Sequence, residues 1–448
     1  MSKVAEKNQK PGAHWASPKE IENAGLFEEN GFLLGSYKGR RLIDSSYRHV
    51  LLFHPLGHGK GVSIAVPNLL FWKESVIIND FKAENYRLTS GYRRNVLGQR
   101  VFRWDPANRE GATHCYNPLD HVAGKSTNMI QMVDEIQKIS RILLPGDDIY
   151  DSGTRSLIST LVLCASLDKT KNNTLGGILR ILIAGDLDSY LKSALSKFGD
   201  RLGWFGQTGI GAFLGNSEEE RKFMRNLAIT ALELWSDPQI NATTSRSDFN
   251  VADFSVEKSS LYVTVHPADV VRLRPLLQIF YQQCISALTL GDYEYNENRV
   301  GVLMLLDEFI RLGRMEFMES ALAHSRAYKL KICPFVYDMD SLENTYGRGV
   351  AHSIATNSSV KVVCCTNSPN TMNFISNIVG NKIIRMGDDT RGEIPLILPR
   401  EVAGMDNRKE IVLFESMAIE AEKIKYYEDP EFSGGILEPA PIPTLARE

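Results

Sequence analysis

The run His49-Val-Leu-Leu-Phe-His-Pro-Leu-Gly-His-Gly-Lys-Gly-Val62 constrains this chain most. Apolar residues before His54 suit a buried strand, and Val62 to Leu70 continues with an apolar helical pattern. Between them, glycines leave room for backbone N–H groups to approach an anion. The following helix N-terminus attracts negative charge, and Lys60 can reach the outer oxygens of a polyphosphate. Pro55, Leu56, Gly57, His58, Gly59, Lys60, Gly61 and Val62 are therefore the expected nucleotide-binding segment. The usual spacing, GxxxxGK followed by Ser or Thr, has glycine where His54 stands and a hydroxyl residue where Gly61 stands. Mg²⁺ thus loses one expected ligand, and Ser63, two residues late, is expected to face elsewhere. Taken alone, the segment also fits a plain glycine turn between strand and helix. His54 and His58, four apart, have no third ligand at matching spacing for zinc; His58 is expected to line the nucleotide pocket.

A second segment makes the phosphate reading more specific. Val300-Gly-Val-Leu-Met-Leu-Leu-Asp307-Glu308-Phe309 is an apolar strand ending in two acids. Strands of a parallel sheet present their C-terminal ends where ligands bind. Asp307 there can hold Mg²⁺, and Glu308 can polarise a water as general base. Asp80, ending the apolar run from Ser75, is expected on the same edge, either adding charge near the metal or capping the next helix.

The expected fold is α/β: a RecA-like P-loop domain with a mostly parallel sheet, interrupted by an all-α domain. Candidate strands at His49–Phe53, Ser75–Asn79, Val101–Trp104, Leu261–Val265, Val300–Leu306, Lys331–Phe335, Val360–Cys364 and Ile411–Phe414 are mostly apolar throughout, as strands covered on both faces are. From about 128 to 239 the spacing turns helical. Ser217-Glu-Glu-Glu220 reads as a capping box, Asp186 as another helix start, and the glycine-rich stretch Gly199–Gly215 as a break between helices. The expected division is a lead-in over 1–45, the nucleotide-binding domain over 46–127 and 240–430, the all-α domain over 128–239, and an extended tail over 431–448.

The formal net charge of -3 gives no global attraction to nucleic acid. The segment Lys82–Arg103, with six basic residues and one acidic, reads either as a phosphate-tracking patch or as a solvated helix face. Six cysteines without a CxxC pair are expected as free thiols. Met1–Lys10 is polar, and the apolar run Leu157–Leu167 is too short to cross a bilayer, which takes about 20 residues. The chain as given is therefore expected to be soluble. Trp204-Phe205 reads as core rather than as an exposed contact.

Five motifs occur in order: the loop with Gly61-Val62 and Val66-Pro-Asn-Leu-Leu70; Asp80-Phe-Lys-Ala-Glu-Asn-Tyr-Arg-Leu-Thr89; Tyr116-Asn-Pro-Leu119; Leu306-Asp-Glu-Phe309 with Leu312-Gly-Arg314; and Ile424-Lys-Tyr-Tyr-Glu-Asp-Pro430. Together they resemble the TraG-like and DotL-like coupling proteins of type IV secretion and conjugation systems, from about His14 to Pro430. The resemblance implies ATP and Mg²⁺ as cofactors, Lys60 and Glu308 as catalytic residues, Asp307 on the metal, and hexameric assembly at the cytoplasmic face of the bacterial inner membrane. It implies anchoring by N-terminal helices that this sequence does not include. It also implies partners: secreted proteins or relaxase–DNA complexes, other secretion-system ATPases and inner-membrane components, and adaptors. Tyr337 stands where the family usually has a γ-phosphate-sensing glutamine, which with His54 and Gly61 bears on hydrolysis more than on binding. Ring motors often complete a site with a neighbour's arginine; Arg272, Arg274 and Arg314 are candidates, each also readable as a surface ion pair. The competing functions are an energy-coupling ATPase, a nucleotide-binding receptor or scaffold with little hydrolysis, and a translocase of DNA alone.

Overall fold

The computed structural model describes residues 12–445 apart from 56, 58, 123–127, 169–172, 291–297 and 387–389. In chain order its strands are β1 (Phe32–Tyr37), β2 (Arg40–Asp44), β3 (Val50–Phe53), β4 (Ser75–Asn79), β5 (Arg100–Trp104), β6 (Ser259–Val263) and β7 (Val302–Leu306). They continue with β8 (Leu330–Val336), β9 (Val360–Val363), β10 (Asn381–Met386), β11 (Thr390–Pro395), β12 (Lys409–Phe414) and β13 (Met417–Glu422). Eleven of them form one sheet in the order β2-β1-β13-β12-β9-β3-β8-β7-β4-β6-β5. From β9 to β5 all pairings are parallel, whereas β2, β1, β13 and β12 extend one side in antiparallel fashion. β10 and β11 make a separate hairpin.

Apolar residues on both faces of these strands give two cores. Leu51, Phe53, Ile77, Met304 and Leu306 join one cluster. Val50, Leu52, Val76, Ile78, Leu303 and Leu305 join the other. The first continues without a break into the helical insertion, through Ile136, Ile139, Leu157, Leu161, Ile178 and Ile210. No strand lies between Trp104 and Ser259 among the described residues. The fold is thus a mixed, mostly parallel sheet with a helical insertion.

Several local expectations shift on contact with tertiary structure. The residues read as a lead-in contain β1 and β2, which lengthen the sheet. The glycine-rich stretch separates helices only at its start, where Gly199 ends Leu187–Phe198; Gly203–Gly215 is itself a helix. A Cβ at Gly206 would run into Leu163, and one at Gly209 into Thr160, so these glycines let the helix press against Ile149–Leu167. Their packing outweighs a propensity cost of about 1 kcal/mol each. Trp204 is 82% exposed rather than core. The capping box at Ser217 forms, with Glu220 returning to the Ser217 backbone, and Asp186 caps Leu187–Phe198. After a short helix at Pro430–Ser433 the tail docks: Thr113 donates to Pro443 O, Leu445 to Gly111 O, and Tyr86 to Ala440 O. Gly91 is required there, since a Cβ would strike the Glu438 carbonyl. Among the described residues, no helix is long and apolar enough to cross a membrane.

Candidate nucleotide site

β3, β8, β7 and β4 lie side by side, so the groups after their C-terminal ends converge. These are the glycine loop after β3, Tyr337 after β8, Asp307 and Glu308 after β7, and Asp80 after β4. Gly57 and Gly59 both hold φ of +83°, a conformation glycine adopts without steric cost. The helix that follows spans 61–71 and is wide in its first turn, where Val66 N–H reaches back five residues to Gly61 O. Pro67 explains the widening: its ring crowds the Ser63 carbonyl and it has no N–H to donate. Ser63 turns away from the cleft, its hydroxyl donating to Gly59 O at 3.1 Å. Leu56 and His58, two of the expected nucleotide-binding residues, lie outside the described residues. His54 is buried, and its Nδ1 lies 3.1 Å from Pro55 O.

Lys60 Nζ lies 2.7 Å from Asp307 Oδ1 and 3.4 Å from Glu308 Oε1, with the Tyr337 ring centroid 5.7 Å away. Burial works against the ammonium, yet the adjacent Asp307 carboxylate outweighs it and raises the Lys60 pKa. Burial likewise pushes the Asp307 carboxyl up, opposed by Lys60. Asp80 accepts from the N–H groups of Asn85 and Tyr86 and so caps Glu84–Asn95. Burial lifts its carboxyl to about 6, with the Asp307 charge adding to the rise. Glu308 sits at φ 52°, an uncommon left-handed conformation for a residue with a side chain. Such strain persists only where the surroundings impose it, often at functional sites.

Two residues that sequence reasoning passed over complete the arrangement. Arg311 Nε lies 2.6 Å from Glu308 Oε2 and beside the buried Tyr337 hydroxyl, which receives no aligned hydrogen bond among the described residues. Its place three residues after Glu308 was the available signal. Asn79 donates from Nδ2 to Asp307 O at 2.5 Å. Asn79 Oδ1 and Asp307 Oδ1 are buried and receive no aligned hydrogen bond among the described residues; Lys60 meets Asp307 as an ion contact. Two such oxygens suit a hard, oxygen-seeking cation, so the residues fit Mg²⁺. A cleft of about 630 Å³ opens beside Gly59, Lys60, Asp80, Asp307 and Glu308, within the usual range for small-molecule sites.

The three candidate trans arginines are engaged within this chain. Arg272 pairs with Asp237 and Asp269, Arg274 donates to Arg311 O, and Arg314 binds Glu316 and Tyr346 O. The basic segment Lys82–Arg103 is not one face: Arg93 is fully buried and donates to the carbonyls of Leu69, Trp72 and Glu74.

Strand, glycine loop, lysine at the helix start and a strand-end acid beside that lysine define a P-loop nucleotide-binding protein. Residues 14–444 match the family described as "Type IV secretory system Conjugative DNA transfer", and the chain belongs to that family of type IV secretion coupling proteins. It is 28% identical over 469 residues to Protein VirD4 of Rhizobium radiobacter, covering 96% of this chain and 67% of that protein. It is also 28% identical over 508 residues to Conjugal transfer protein TraG of Escherichia coli, covering 96% and 78%. The chain spans about two thirds of the length of the VirD4 relatives. In fold it is similar to the plasmid coupling protein TrwB in complex with ADPNP, at TM-score 0.71, 16% identity, 95% of this chain and 97% of that one. TrwB in complex with ADP and Mg²⁺ superposes at TM-score 0.69 and 15% identity, covering 96% and 97%.

Proposed function

We propose that this chain is the ATP-binding engine of a type IV secretion or conjugation system, using hydrolysis to deliver protein or relaxase–DNA substrates to the secretion channel. The observation that carries this reading is Lys60 Nζ at 2.7 Å from Asp307 Oδ1 in an open cleft, with Glu308 beside them. In this reading the backbone from Pro55 to Val62 wraps the phosphates, and Lys60 neutralises the outer ones. Asp307, with Asn79 beside it, holds Mg²⁺, which when bound offsets charge on the phosphate oxygens. Glu308 orients and deprotonates the attacking water. Lys60 and Arg311 both occupy acids that the reaction needs, so nucleotide entry exchanges these internal ion pairs for phosphate and metal contacts. Tyr337, whose hydroxyl meets Arg311, takes the sensor position. Arg272, Arg274 or Arg314 completes a neighbour's site after leaving its present partner. TrwB, solved with ADP and Mg²⁺, supports the choice of cofactors. The family supports a hexamer working at the cytoplasmic face of the inner membrane, together with other secretion ATPases, inner-membrane components and adaptors.

Steady-state ATPase activity of the assembled protein tests this, with Lys60→Ala and Glu308→Gln as controls. Turnover that both substitutions abolish is expected. Undetectable turnover in an assembled ring overturns the motor and leaves the second reading, a nucleotide-binding receptor, which Gly61 and Tyr337 favour. Salt-dependent binding of DNA separates nucleic-acid cargo from protein cargo.

A further inference from the structure

The cleft has two chemically different arms. One carries charge, with Lys60, Asp80, Asp307 and Glu308. The other brings together Val62, Val66, Leu88 and Tyr426, with Lys82, Glu84, Asn85 and Arg87 also bordering the cleft. A triphosphate at Lys60 fills the charged arm and leaves the nucleoside to the second. Tyr426 follows β13, the last strand, and returns across the helix that begins after Lys60. Its backbone N–H donates to Val62 O at 3.2 Å, so the ring's position is tied to the phosphate loop. Beneath it Val66 and Leu88 belong to a small apolar cluster with Ile424 and Phe432. Tyr427 braces the ring edge-on, with centroids 5.5 Å apart at 82°.

We propose that Tyr426 is the platform on which the nucleobase stacks, and that the stack itself does not distinguish adenine from guanine. The proposal rests on the nucleotide-binding reading above. Two of the cleft's polar groups are engaged by their own chain: Asn85 Nδ2 donates to Asp80 at 3.3 Å, and Arg87 Nε to Ala83 O at 3.3 Å; Lys82 and Glu84 line the same cleft. An apolar floor and an aromatic ring read the face of a base rather than its edge. Every purine has such a face, and stacking is correspondingly tolerant of base identity.

Equilibrium binding of Mg-ATP, Mg-GTP and Mg-tripolyphosphate to the intact chain, followed by calorimetry, tests this. Wild type is expected to bind both ATP and GTP, and tripolyphosphate more weakly than either. Tyr426→Ala weakens both nucleotides by roughly tenfold, the size expected for loss of one base–aromatic stack, and leaves tripolyphosphate unchanged. Tyr426→Leu preserves the apolar cluster, guards against misfolding and shows the same selective loss, while Tyr426→Phe behaves as wild type. Unchanged nucleotide affinity in Tyr426→Ala and Tyr426→Leu overturns the proposal. So does an equal loss for tripolyphosphate, which places the effect in the phosphate loop. Lys60→Ala weakens all three ligands. A wild-type chain that binds none of them removes the nucleotide reading and the platform together, whereas ligands that bind but ignore position 426 remove the platform alone.

Discussion

Two lysine–aspartate pairs in this molecule have the same separation and opposite meanings. Lys60 and Asp307 meet at 2.7 Å where the sheet opens into the cleft, each side chain 17% exposed. Lys331 and Asp44 also meet at 2.7 Å, but at 0% and 2% exposure. Lys331 lies on β8, between β3 and β7, and its ammonium sits 4.9 Å from the Phe32 ring centroid. Asp44 ends β2 and also accepts from Ser46 N and Oγ. That pair satisfies itself, and burial pulls the Lys331 pKa down against the pull of Asp44. Lys60 instead faces two acids, and Asp307 Oδ1 lacks an aligned hydrogen bond. What separates the two pairs is incomplete satisfaction beside open space, not the distance between charges.

The largest effect expected from this contrast is at the buried pair. Lys331→Met leaves the Asp44 charge without its partner and costs about 3–5 kcal/mol of stability. Urea denaturation measures the loss, and nucleotide affinity of the folded fraction is unchanged; a loss of binding with normal stability breaks the contrast. Lys60→Ala reverses the pattern. It lowers nucleotide turnover on the order of 100-fold or more, the usual scale for removing a cation or donor that stabilises transition-state charge. Its urea midpoint stays near wild type, because Asp307 borders the cleft and water can replace the ammonium.

Asp80 extends the contrast to pH. Its carboxyl is raised by burial to about 6 from an ordinary 3.8. The folded chain therefore keeps a proton that the unfolded chain releases in that interval. This contribution is fully present below the unfolded value and lost as pH rises through the folded one. Between about pH 4 and 6, wild type is expected to lose about 2–3 kcal/mol relative to Asp80→Asn. Parallel pH-dependent curves for the two proteins break the assignment. The smallest effect is at Gly61. A Cβ there meets nothing within 4 Å, so Gly61→Ser folds normally and returns a hydroxyl to the metal. Mg²⁺-dependent ATP affinity rises about threefold, the scale of one added hydrogen bond or ligand contact. A Mg²⁺ titration that does not distinguish Gly61→Ser from wild type shows that the hydroxyl position is not used here.

The site's principal parts were legible because their chemistry is local. An apolar strand, glycines and Lys60 are contiguous, and Asp307 and Glu308 end a strand whose composition marks it as central. Arg311, Asn79 and Tyr426 were not singled out, since arginine, asparagine and tyrosine at those spacings carry no chemical signature without neighbours. Gly206 and Gly209 misled for the same reason. A glycine that breaks a helix and one that admits a close partner are identical in sequence.

The sequence by itself determined the alternation of elements, the phosphate loop, the acids that answer it and the helical character of the insertion, since each depends on residues within a turn or a strand of one another. Only the tertiary structure decided which lysine borders the cleft and which is buried, because Asp44 and Lys331 are 287 residues apart. It likewise decided that the early strands finish the sheet and that the final motif returns to wall the cleft. These outcomes depend on which surfaces the folded chain brings together and which it leaves to water, and no local spacing encodes that.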